Sequence, residues 1–177
     1  ADTQTWPPPS LVLLANTVAD AGDIEAGVRV LRRALGIHPT DAWVHYTLGS
    51  LLNRTIPPAP QQAIEAYTAA RALRPELGHE LAHALQRQNR NDEAEAVFRD
   101  LVTRRPDNMR HLACLGIHLQ RNGRATEAEP YLERSIAESR KAIERAPDNA
   151  SVHFDLGHAL AGNGQIDEAI AEFRKTI

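Results

Sequence analysis

The chain has 177 residues, one domain's worth and enough to bury a core without metal or disulfide staples. Hydrophobic residues make up 42% and charged residues 24%, and a net charge of -3 argues against the concentrated basic face that nucleic acid or anionic lipid requires. A single cysteine, Cys114, excludes an internal disulfide and a cysteine-built zinc site, and no apolar run is long enough to cross a membrane. With no charged leader before a hydrophobic stretch, the expected location is cytoplasmic.

Residues 1–9 carry no repeat character. Pro7 to Pro9 predict a short extended segment running into a first helix near Ser10, with Trp6 folding back over that helix. From there a large apolar residue followed by a small one recurs: Leu14-Ala15, Leu48-Gly49, Leu81-Ala82, Leu115-Gly116 and Leu156-Gly157. The leucines are 34, 33, 34 and 41 residues apart. Four residues after each stands another apolar residue, Val18, Leu52, Leu85, Leu119 and Leu160, on the same helical face. A second series follows, Leu31, Tyr67, Phe98, Leu132 and Phe173, each with a small residue four positions earlier: Gly27, Ala63, Ala94, Ala128 and Ala169. Pro39, Pro75, Pro106 and Pro147 close the first four of these second helices. Short polar or glycine-bearing stretches mark the turns, and Asp92 and Asp167 suit helix N-termini.

Three departures from the period carry structural expectations. Three prolines and two extra residues between Leu52 and Ala63 predict a stiff outward loop. Only 31 residues separate Pro75 from Pro106, so the third pair starts short, with Gly78 where bulk is needed. The fourth pair is longer by seven, and SIAESRKAIERA lacks the Gly or Pro of a loop. Seven residues are two helical turns, which predicts one long helix from about Thr126 to Arg145 with Pro130 near its start.

This pattern resembles the tetratricopeptide repeat (TPR), a 34-residue helix–turn–helix with small residues at two crossing points and a closing proline. WVHYTLGSLL, NMRHLACLGIHLQRNGRATEAEPYLERS and NASVHFDLGHALAGNGQIDEAIAEFRKTI carry the resemblance best. It implies an all-α fold, a right-handed superhelical solenoid of antiparallel helix pairs. The array covers residues 10–177 in five units, approximately 10–39, 42–75, 76–106, 109–147 and 150–177. In such an array the first helices line an inner wall suited to a peptide or a partner's helix.

Carried over position by position, the resemblance makes Asn16, Trp43, Tyr46, Asn53, His79, His83, Gln86, Arg110, Gln120, Phe154 and His158 the groove candidates. Trp43 and Tyr46 beside asparagine and glutamine suit a peptide groove, although Trp43 packing over a neighbouring helix is the plainer alternative. The family's clamp for a terminal carboxylate is not matched: of Val12, Asn16, Thr47, Glu76 and Glu80, only the asparagine agrees, and two acids repel a carboxylate. Arg54, Arg87, Arg110 and Arg121 are either a basic stripe or ordinary solvated surface. His45 and His153 share one position, where the family packs a large residue between helices, and are expected to be partly buried.

His79-Glu80-Leu81-Ala82-His83 spells the H-E-x-x-H of zinc proteases, two histidines one turn apart. A third ligand and an enclosed cleft are also needed, and the sequence points to neither, since Leu81 belongs to the core and Glu93 and Glu95 to the outer helix. A metal-binding or protease-like site at His79 and His83 is therefore a minor alternative, and no cofactor is expected. Asp155 and His158 are close enough to pair on one face, without a nucleophile to complete a triad. Cys114 reads as buried and inert.

The expected function is a non-enzymatic scaffold for a protein or peptide ligand, without nucleic-acid binding or membrane insertion. The alternative is an architectural or self-associating spacer cut from a larger multidomain protein, with any catalytic domain lying outside this chain. Ile166, Ile170 and Phe173 then offer an apolar end face for end-to-end contact between copies.

Overall fold

The computed structural model describes residues 6–177, and ten α-helices and no strand are found among them. The five residues before Trp6, part of the non-repeat segment, lie outside the described residues. Residues 1–94 and 95–177 form two compact units. The first unit holds α1 (Pro8–Asp20), α2 (Ile24–Ile37), α3 (Ala42–Arg54), α4 (Pro60–Leu73), a 3-10 turn (Pro75–Leu77), α5 (Gly78–Arg87) and the start of α6 (Asn91–Arg104). The second holds the rest of α6, then α7 (Met109–Arg121), α8 (Ala125–Arg145), α9 (Ala150–Gly162) and α10 (Ile166–Arg174). None of these helices is long and apolar enough to cross a membrane.

Helix starts follow local chemistry. Asp41, Asn108 and Asn149 accept amide hydrogens from the first turns of α3, α7 and α9, satisfying donors that no helical carbonyl reaches. Asp23 does the same for Ala26 in α2. The first helix begins at Pro8, earlier than the predicted extended segment allows, because a proline in the first turn gives up only an amide that has no helical acceptor. Trp6 is half-buried, and its carbonyl lies 3.2 Å from His38 Nε2.

The turns inside four pairs use one device. Gly22, Asn89, Gly123 and Gly164 have positive φ, and the next residue's amide reaches back five places: Asp23 to Val18, Arg90 to Leu85, Arg124 to Leu119 and Gln165 to Leu160. This is a Schellman-type closure, and its acceptors are the second apolar residues of the repeat. In the α3–α4 pair the homologous carbonyl, Leu52, is satisfied instead by the amide of Ala59. The chain thus spends its two extra residues on a proline-rich excursion and returns to the same acceptor. The buried Thr55 hydroxyl, 2.9 Å from the carbonyls of both Leu52 and Pro57, holds that excursion down.

The small residues mark close crossings. A Cβ on Gly49 would stand 2.8 Å from the Tyr67 ring, one on Gly116 2.6 Å from Leu132, and one on Gly157 2.8 Å from Phe173. Gly49, Gly116 and Gly157 are therefore notches that admit the large residue of the paired helix. The short start of the third pair is filled by Leu77, which packs with Ala42, Ala70 and Tyr46 beside the buried Gly78.

The predicted long helix is present as α8, with 21 residues. Its two added turns bring Ser139 to full burial and lay Ile143 against the buried cluster that includes Leu156, Leu160 and Ala169. Pro130 is the sixth residue of α8, farther inside than predicted. It stands on an exposed face, where water can take the carbonyl that its missing amide leaves.

Candidate functional site

In the first unit, the first helices α3 and α5 border a common cleft of about 520 Å³. Ser50, Asn53 and Arg54 line it from α3, Glu80 and Arg87 from α5, and Tyr67 forms its floor from α4. Pro58 and Pro60, from the proline-rich excursion, wall it on one side. An aromatic run leads to this floor. Trp43, 48% exposed, meets the half-buried Tyr46 edge-on at 5.6 Å, and Tyr46 meets the buried Tyr67 at 5.7 Å. Asn53 donates its side-chain amide to the Tyr67 hydroxyl at 3.4 Å. Burial, then the nearby charge of Glu80, pushes the Tyr67 phenol up to about 12, so it stays neutral and keeps a proton to donate. The same two causes raise the Tyr46 phenol.

The second unit has its own cleft between first helices, about 260 Å³, lined by Ile117, Gln120 and Arg121 of α7 and by His158, Ala161 and Gly162 of α9. Phe154 is 47% exposed, lies nearly parallel to the His158 ring at 6.1 Å and tilts against Phe173. Arg110 donates Nε to the largely buried Asp155 at 2.9 Å and reaches Ser151 at 3.4 Å.

The groove candidates thus fall into several groups. Trp43, Tyr46 and Asn53 converge near one cleft, and Gln120 with His158 line the other, with Phe154 stacked beside it. Asn16 is half-buried on α1, apart from either cleft lining. Arg110 is engaged by Asp155, and Arg54 is bound to Asp20 at 2.9 Å, so neither forms part of a free basic stripe. The sequence reading gives Tyr67 to packing alone, and Glu80 to a mismatched clamp and to the H-E-x-x-H motif, not to a shared cleft. That Tyr67 carries a hydroxyl where the other units have Leu or Phe was the signal available.

His79 and His83 sit one turn apart on α5 with ring centroids 4.7 Å apart, and His83 Nδ1 lies 3.0 Å from the Gln86 side-chain oxygen. The acids considered as a further ligand are engaged in their own units: Glu93 by Arg90 at 2.7 Å, and Glu95 by Arg99 and Arg124 at 2.8 and 2.6 Å. Cys114 is buried and takes part in no disulfide among the described residues.

The shared histidine position proves structural. His45 Nε2 lies 2.9 Å from the Pro39 carbonyl, and His153 Nε2 lies 2.6 Å from the Pro147 carbonyl, so each closes onto the proline that ends the preceding helix. His153 also places Nδ1 2.6 Å from Glu172 of α10. Two acceptors demand two ring N–H groups, which only the imidazolium has. Accordingly the Pro147 carbonyl, and then Glu172, raise the His153 pKa. Stability from the charged His153 is therefore complete below the ordinary histidine pKa of about 6.5 and is lost as pH rises through the raised folded value. An NMR titration is expected to place His153 above that ordinary value, and Glu172→Gln to bring it down toward it. His111 and His118 behave oppositely: burial lowers both, so their contribution is lost as pH falls.

Comparison with known proteins agrees with this architecture. Tetratricopeptide repeat profiles match residues 107–177 and 79–105, together more than half of the chain. No curated protein sequence matches. Among solved structures, PilF of Pseudomonas aeruginosa is similar with a TM-score of 0.65 and 21% identity, over 95% of this chain and 74% of that one. MamA from Desulfovibrio magneticus RS-1 gives 0.57 and 19%, over 99% and 94%. The TPR protein YrrB gives 0.56 and 16%, over 99% and 87%. These likenesses concern the fold, and with the repeated notches, the turn closures and the profile matches they show that the chain belongs to the tetratricopeptide repeat family.

Proposed function

We propose that the chain is a non-enzymatic protein-interaction scaffold of five TPR units over residues 10–177, holding a peptide or a partner's helix against its first helices. The observation that carries this reading is the α3–α5 cleft, where a half-exposed indole and two tyrosines lead to polar groups from two successive first helices. Aromatic anchors beside a polar-lined recess are what a peptide needs for affinity and register. A wall already built from packed helices loses little freedom when a flexible ligand settles on it. YrrB is described as a TPR protein with an unusual peptide-binding site, which supports the class of ligand. The reading includes a cytoplasmic location, where a lone thiol such as that of Cys114 stays reduced.

The test is an array of capped 12-residue peptides, with hits measured by fluorescence polarisation. Wild type is expected to bind a subset, and Trp43→Ala with Tyr46→Ala to weaken every hit at least ~10-fold while circular dichroism is unchanged. Equal binding by the double variant would remove the reading. The exposed Ile166 and Ile170, one turn apart on α10, favour a second reading, self-association of copies, which sedimentation of the same samples would reveal as concentration-dependent mass.

A further inference from the structure

We propose that the α3–α5 cleft seats a lysine or arginine side chain of the bound peptide, its cation on the Glu80 carboxylate and its methylene stem against Pro58, Pro60 and the Tyr67 ring. This rests on the scaffold reading and names the residue class that the scaffold selects. Glu80 is half-buried and lines the cleft, and it makes no hydrogen bond or ion pair among the described residues. Glu80 is thus an acid in the cleft with no cation paired to it, and the side chain that complements it is positive.

The other charges around the cleft leave that sign in place. Arg54 is paired with Asp20 at 2.9 Å. Arg87 is exposed at the rim, so solvent screens it more than the half-buried Glu80. At the Tyr67 hydroxyl the effect of Glu80 exceeds the opposing effect of Arg87. The remaining lining suits a long aliphatic cation. Two prolines and an aromatic ring cover the stem, and Asn53 and Ser50 offer oxygens beside the head. An acidic side chain or a free terminal carboxylate would meet Glu80 directly, so the site selects against the ligand that clamp-bearing relatives take. The recess lies in the size range of side-chain and small-ligand pockets.

The probes are Nα-acetyl-lysine methylamide, its arginine counterpart, and the norleucine and glutamate analogues, titrated into 15N-labelled full chain. Lysine and arginine probes are expected to shift the Asn53 side-chain amide saturably, with about tenfold weaker binding in Glu80→Gln, whose fold circular dichroism checks. Norleucine and glutamate probes should leave that signal in place. Norleucine binding as well as lysine, or an unchanged titration in Glu80→Gln, overturns the inference. The 12-residue array separates this from the parent reading. Hits that depend on Trp43 and Tyr46 but show no preference for Lys or Arg defeat the cation seat alone. Saturable binding of the small cations with no array hit at all supports the seat and defeats the peptide scaffold.

Discussion

Tyr67→Ala is expected to destabilise the chain by about 3–5 kcal/mol, the range for removing a large buried ring. Tyr67 is 2% exposed and fills the notch at Gly49, so alanine leaves a cavity between α3 and α4 that their backbones, fixed by the Leu52–Ala59 closure, can only partly collapse. Tyr67→Phe keeps the ring and loses only the hydroxyl, at a cost of about 1 kcal/mol. Thermal melts of the two variants against wild type measure the difference. The pair also separates two roles of one residue, because the phenylalanine keeps the packing while removing the polar floor of the cleft.

Leu132→Ala is expected to cost about 2–5 kcal/mol in the second unit. Leu132 occupies two notches at once: a Cβ on Gly116 would come within 2.6 Å of it, and one on Gly162 within 3.1 Å. One side chain therefore ties α8 to both α7 and α9, and its loss opens space on two sides. Leu132→Met, which conserves volume and bends to fit, should cost less than about 1.5 kcal/mol. Urea unfolding reads both, with a shifted midpoint at constant slope as the signature of lost stability rather than an altered denatured state.

Much of the fold was legible because the repeat writes its packing into the sequence. Leu48-Gly49 with Tyr67, Leu115-Gly116 with Leu132, and Leu156-Gly157 with Phe173 each state a notch and its knob. The long α8 could be counted from seven residues without a breaker. What could not be read was the result of several pairs meeting. Glu80 was visible as an acid in the wrong place for a carboxylate clamp. That it faces Tyr67 and two prolines depends on where the inserted loop folds, which no period dictates. Arg110 looked like free basic surface until Asp155, 45 residues later, came to meet it. His153 was recognised as packed, while its two acceptors, and so its charge, depend on α10 lying alongside.

Within the first unit, the most direct test of the central claim is amide hydrogen exchange, by mass spectrometry, on the full chain with and without the tightest array peptide. The account predicts added protection over α3 and α5, residues 42–54 and 78–87, with residues 24–37 of α2 unchanged. Protection confined to α2, or to residues 166–177 with α3 and α5 untouched, would contradict it.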